Sequence, residues 1–262
     1  MFGLQIRYLS FFFGLISILS FFNIIFSYYL NLYLNLNTYY LSLILSLIIS
    51  ILFYKIKISE NKPNIYKKIL TVFLGYILLP LILCIPFYFS IYNLTFLDSF
   101  FEAISGFTST GFTIFENIKH VDQSLILWRS STQWIGGLYF LFSIIFLIDI
   151  YDDSFKKTLT NFISFDSSEI LKQVTKIFFL YSGLTLFIFL ILNIFSIRMF
   201  DSLNLAFTLI SSGGFIPAND LSNIVKGNTQ IIILSLLMLF SFFSIFFTYN
   251  LFFFKKKNIN FF

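Results

Sequence analysis

A single cysteine, Cys84, and a single histidine, His120, deprive this chain of whole classes of chemistry. One cysteine can neither close an intramolecular disulfide nor build a multi-cysteine metal site, and its place inside an apolar run marks it as a packing residue. His120 lies in a polar stretch without cysteine or histidine neighbours, so no transition-metal site is expected. No nucleophile and base pair and no phosphate-binding glycine loop occurs, and an enzyme is not expected.

Charge is scarce too. Of 262 residues 11% are charged, where soluble domains carry about a quarter. Hydrophobic residues make up 58% and the mean hydropathy is +0.89, more apolar material than a soluble core buries. The few charges cluster between long apolar runs, as in membrane proteins. A net charge of +5 does not point to nucleic acid, because the basic residues flank apolar spans instead of forming a basic face with interleaved aromatics.

A bilayer core of about 30 Å needs roughly 20 helical residues. Windows near that length recur at 9–30, 38–54, 69–90, 126–148, 174–196 and 229–254, which predicts an all-α polytopic membrane protein with about six transmembrane helices. Met1 to Asn23 resembles a signal peptide but lacks a small-x-small cleavage site, and is read as a retained helix. Two further apolar segments, Phe96 to Phe107 and Met199 to Ile210, would cover only roughly 18 Å as helix. Backbone that turns back at membrane depth is tolerated only where protein buries it or water bathes it, so these segments predict two re-entrant pore loops. With the N-terminus inside, 13 of the 17 basic residues fall on cytoplasmic segments and only Lys119, Arg129, Arg198 and Lys226 outside. That bias predicts both termini in the cytoplasm and both short loops on the outer side, with the polar stretch Asp149 to Lys172 as a cytoplasmic connector.

The two loops are copies. Residues 98–112, DSFFEAISGFTSTGF, align without a gap on 201–215, DSLNLAFTLISSGGF, at a constant offset of 103. Asp98/Asp201, Ser99/Ser202, Ala103/Ala206, Ser109/Ser212, Gly111/Gly214 and Phe112/Phe215 are identical. The organisation expected is two leading helices over 1–62, a helix, pore loop, helix repeat over 63–155, and a second repeat over 156–262.

Residues 101–111, FEAISGFTSTG, followed by LWRSSTQWIGG at 127–137, together with SSGGF at 211–215, resemble the Trk/Ktr superfamily of potassium transporters, in its pore-forming membrane subunit. The resemblance runs over nearly the whole chain and implies potassium uptake across the cell (inner) membrane. The transported ion would be K+, with no cofactor, coordinated by carbonyls of Thr108, Ser109, Thr110, Gly111, Ser211, Ser212, Gly213 and Gly214. Family members carry four such units around one pore and this sequence holds two. The resemblance therefore implies a homodimer or a second half-transporter chain, and a cytoplasmic nucleotide-binding regulatory subunit. The alternatives are one half of a split transporter or a truncated, non-conducting membrane scaffold.

The residues suit that role. Gly111 and Gly214 can take positive φ and let chains approach one axis, while hydroxyls of Thr108, Ser109 and Thr110 can bond behind a filter. Asp98 or Ser99 can cap the first short helix, and Ser99-x-x-Glu102 has capping-box spacing; the helix would then aim its partly negative C-terminus at the ion. Glu102 alternatively adds negative potential at the mouth. Arg129 can pair with Glu102 or Glu116 and brace the filter, or snorkel at the outer interface. Gly136 and Gly137 suit close helix packing, Trp128 an interfacial anchor, and Trp134 a packing position.

Overall fold

The structure, a computed structural model, describes residues 7–56, 65–147 and 170–253. The connector from Asp149 and several of the predicted cytoplasmic lysines (Lys57, Lys62, Lys156, Lys157 and Lys255 to Lys257) lie outside the described residues. All regular structure among the described residues is helical: α1 (Arg7–Tyr29), α2 (Leu36–Lys55), α3 (Ile65–Leu83), α4 (Ile85–Tyr88), α5 (Phe96–Phe107), α6 (Gln123–Leu147), α7 (Ile170–Ile194), α8 (Met199–Ile210) and α9 (Asn228–Phe253), with 3-10 turns at Ile118–His120 and Leu221–Asn223.

Small residues let α1 and α2 lie close together, since a Cβ on Gly14 would stand 3.4 Å from Ser50 Oγ. Hydroxyls then join the pair, Ser50 Oγ donating to Ser10 O at 2.8 Å and Ser20 Oγ to Ser42 Oγ at 3.1 Å. Close approach through small residues and interhelical hydroxyl bonds replaces the hydrophobic drive that lipid cannot supply. α3 contains Pro80, and the helix breaks at Cys84 before restarting with Pro86 in the first turn of α4. Proline lacks the N–H that would continue the ladder.

α6 is the central element. It packs on α1, α3, α4, α5, α7 and α8, and every residue from Ser124 through Tyr139 is buried. Enclosure by protein on all sides explains how one helix carries Arg129, Ser130, Ser131, Thr132 and Gln133 in succession, because each of these side chains makes a hydrogen bond within the protein instead of facing lipid. Trp128 is part of this core. The interfacial anchor read from sequence is wrong, for the indole is buried and donates to Leu83 O at 3.0 Å beside the α3 break. Trp134 packs as expected, its Nε1 donating to Thr185 Oγ1 at 2.9 Å.

Among the described residues four helical stretches are long and apolar enough to cross a bilayer: Arg7–Tyr29, Leu36–Lys55, Tyr66–Tyr88 and Ile177–Ile194. α6 has the length, 25 residues, and carries the polar run described above. α5 and α8 have 12 residues each, about 18 Å of helix, and both turn back into irregular chain.

Candidate functional site

The two short helices end in the same way. After α5, the N–H of Ser109 bonds to Gly106 O at 2.9 Å and that of Thr110 to Ser105 O at 2.9 Å. After α8, Ser212 N–H bonds to Leu209 O at 3.0 Å and Gly213 N–H to Thr208 O at 2.8 Å. Each is a Schellman closure, and the residue it requires in the left-handed region is a serine, Ser109 at φ 55° and Ser212 at φ 52°. A non-glycine residue there costs of order 1–3 kcal/mol and persists only where its surroundings hold it. A hydroxyl supplies that hold in both copies: Ser105 Oγ donates to Phe112 O at 2.5 Å and Thr208 Oγ1 to Phe215 O at 2.7 Å. The duplication therefore extends from sequence to hydrogen bonding.

The helix starts differ from expectation. Thr95 caps α5, its hydroxyl accepting from Asp98 N–H at 3.2 Å and donating to Asp98 Oδ2 at 2.6 Å. Neither Asp98 nor Ser99 is the cap, and Ser99 with Glu102 is not a capping box, because both lie a turn inside the helix. Ser99 Oγ is buried without a hydrogen bond. α8 has no side-chain cap, and Asp201 in its first turn pairs with Arg198 at 3.0 Å.

Segments 108–111 and 211–214 meet at their glycines. A Cβ on Gly111 would stand 2.8 Å from Gly214 Cα, and one on Gly214 would stand 3.2 Å from Gly111 Cα and 3.9 Å from the carbonyl oxygens of Thr110 and Gly111. Gly111 has φ +80°. Gly214, expected to share that conformation, does not; it is needed for the approach alone. Thr108 is the C-cap of α5, and its hydroxyl meets that of Thr110 at 2.7 Å. Ser211 is the C-cap of α8 and donates back to Phe207 O and Thr208 O.

Two side chains one turn apart on α6 hold these segments from behind. Arg129 Nε lies 2.7 Å from Glu102 Oε1, with both side chains buried, and Arg129 Nη2 donates to Thr113 Oγ1 at 3.0 Å. Glu102 also accepts from Thr113 Oγ1 and, at 3.0 Å, from Ile114 N–H. Arg129 thus pairs with Glu102 and does not snorkel, and Glu102 anchors the chain leaving the first segment instead of capping its helix.

The second side chain, Gln133, was not picked out from sequence. The Thr208 hydroxyl already donates to Phe215 O, so it can only accept from Gln133; the amide then donates to Thr208 Oγ1 at 2.9 Å and accepts from Gly214 N–H at 2.9 Å and Phe215 N–H at 3.0 Å. One turn further on, a Cβ on Gly136 would overlap the Phe107 carbonyl, and one on Gly137 would stand 2.8 Å from Ser211 Cβ. The glycines bring α6 against both segments, as their spacing suggested.

A cavity of about 310 Å³ opens beside the glycine contact, lined by Gly111, Thr113, Glu116, Arg129, Gly214 and Asn219 among others. The loops around it are joined, Asn219 Nδ2 donating to Asn117 Oδ1 at 2.8 Å. Farther out, Tyr92 OH accepts from Asp122 N–H at 2.6 Å, and burial raises the phenol above its ordinary pKa. Among the described residues no group of His, Cys, Asp and Glu could hold a metal ion.

No family model matches the chain. Over 168 residues it is 29% identical to an uncharacterised cation transporter of Methanocaldococcus jannaschii, covering 58% of this chain and 34% of the relative. It is 41% identical over 46 residues to the Trk system potassium uptake protein TrkG of Escherichia coli, 18% of this chain and 10% of that one. With the Trk system potassium uptake protein TrkH of Escherichia coli it shares 40% identity over 55 residues, 21% and 11% of the two chains. The crystal structure of the potassium transporter TrkH from Vibrio parahaemolyticus superposes with a TM-score of 0.74 at 17% identity, covering 95% of this chain and 52% of that one. The sequence resemblance is thus found again in named Trk homologues and in a shared fold, while the chain spans about a third or less of the curated relatives and about half of the solved transporter.

Proposed function

We propose that this chain forms part of a potassium-translocating path in a cell membrane, with K+ held by backbone carbonyls of Thr108 to Gly111 and Ser211 to Gly214. The approach of Gly111 to Gly214 carries the reading, because it brings the C-terminal ends of α5 and α8 to one place. Each helix end offers about half a negative charge, and the irregular segments that follow carry backbone carbonyls that can replace water around a cation. Homology to named potassium uptake and cation transport proteins supports the ion class.

In this reading α1, α2, α3 with α4, α6, α7 and α9 are six crossings, and α5 and α8 are the descending arms of two re-entrant loops. The division at 1–62, 63–155 and 156–262 follows the duplication. The excess of basic residues on inner segments supports cytoplasmic termini and outward-facing loops. Glu102 and Arg129 support the first filter from behind. Exposed polar groups at Thr108, Thr110 and Ser212 cannot face lipid, so a second copy of this chain or a second half-transporter covers them and completes a four-part filter. The inner loops are where a nucleotide-binding regulatory subunit would dock, and no cofactor is required.

Growth of a potassium-uptake-deficient bacterium at low external potassium tests the proposal, comparing wild type with Gly111→Arg and Gly214→Arg at matched expression. Rescue by wild type that either arginine abolishes is the expected result. Equal rescue by the variants overturns the filter assignment, and failure of the wild type favours the non-conducting scaffold.

A further inference from the structure

The two segments are braced by unlike means. Thr110 N–H and its counterpart Gly213 N–H return alike to Ser105 O and Thr208 O, but in the first segment Gly111 N–H also returns to Ser105 O at 3.4 Å and Ile114 N–H goes to the Glu102 carboxylate at 3.0 Å. In the second, the position equivalent to Glu102 is Leu205, which offers no acceptor. α9, which follows the second segment as α6 follows the first, carries Ser235 as its only polar residue between Ile231 and Phe240. The second repeat thus lacks a brace of its own kind. Gln133, on the helix of the first repeat, fills the gap by accepting from both Gly214 N–H and Phe215 N–H.

This single acceptor has a directional consequence. No peptide bond in the described structure is cis, and in a trans peptide the C=O points opposite to the N–H. Fixing Gly214 N–H and Phe215 N–H toward α6 turns the Gly213 and Gly214 carbonyls away from α6. A Cβ on Gly213 would overlap the Gln133 amide, so the side chain lies flat against the backbone it orients.

We propose that Gln133 is the positioning residue that aims the Gly213 and Gly214 carbonyls at the ion and so sets cation preference at the second segment, while Arg129, one turn earlier, steadies the first. The inference rests on the filter reading above. Gln133 touches no ion and acts through the backbone it holds. Thr208 fixes which way the amide faces, since its hydroxyl must accept from the Gln133 NH2.

The test is thermal unfolding of the purified chain in detergent, titrated with KCl at constant ionic strength against NaCl. Wild type is expected to be stabilised more by K+ than by Na+. Gln133→Leu keeps the bulk but loses the acceptor, and the K+ concentration for half-maximal stabilisation should rise about tenfold or more. Gln133→Glu keeps acceptor oxygens for both N–H groups but loses the NH2 that binds Thr208, and should weaken the preference less than Gln133→Leu does. Thr208→Val leaves Gln133 in place but removes its anchor, and should weaken the preference even if Gln133→Leu fails to fold. A merely structural role would lower stability equally in both salts. An unchanged preference in Gln133→Leu or in Thr208→Val, or a loss in Gln133→Glu as large as in Gln133→Leu, overturns the inference. Absence of any K+ preference in wild type overturns it together with the filter reading.

Discussion

Arg129 and Glu102 meet at 2.7 Å between α6 and α5, and both side chains are buried. A buried ion pair gains little over a hydrocarbon pair, but removing one partner strands the other charge. Arg129→Met and Glu102→Leu should each destabilise the protein by about 3–5 kcal/mol. The double variant should recover part of that loss, because no lone charge remains. Denaturant unfolding in detergent, read as a double-mutant cycle, checks the prediction; purely additive losses would contradict it.

The glycines of α6 offer a test of packing. Gly136→Ala places a methyl group on the Phe107 backbone carbonyl, which cannot yield without moving the end of α5, whereas a Cβ on Gly183 in α7 meets nothing within 4 Å. Gly136→Ala should therefore lower thermal stability and membrane yield, and Gly183→Ala should be neutral or slightly stabilising, since alanine favours helix by about 1 kcal/mol over glycine. Equal behaviour of the two would contradict the packing described.

Capping of α5 separates the two readings of its first turn. Thr95→Ala removes the hydroxyl that bonds Asp98 N–H and Oδ2, at a cost of about 1 kcal/mol. Ser99→Ala removes a buried hydroxyl that makes no hydrogen bond, and should cost nothing or stabilise. Unfolding midpoints of the two variants decide, and a larger loss for Ser99→Ala would restore the capping box inferred from spacing.

Much of the architecture was legible because membrane proteins write helix length directly into apolar runs. Phe96 to Phe107 and Met199 to Ile210 were bounded correctly by hydropathy alone, and the constant offset of 103 showed that they are copies. Contacts between elements distant in sequence were less visible. Trp128 looked like an interfacial anchor because nothing in its neighbourhood shows that Leu83 O waits across the core. Glu102 had capping-box spacing, and only the fold shows that Thr95 holds the helix end and that Arg129 takes Glu102, one of the two carboxylates expected for it, as its partner. Gln133 carried a usable signal: it stands four residues after Arg129, hence on the same helix face, in a run too polar for lipid.

The filter assignment has its most direct test in rubidium uptake by proteoliposomes containing the purified chain, with K+ or Na+ as competitor. Gly111 sits at φ +80° against Gly214, so Gly111→Ala strains the segment by about 1–3 kcal/mol. Uptake should be competed better by K+ than by Na+ and reduced about tenfold or more by that substitution. Uptake that Na+ competes equally, or that Gly111→Ala leaves unchanged, would contradict the assignment.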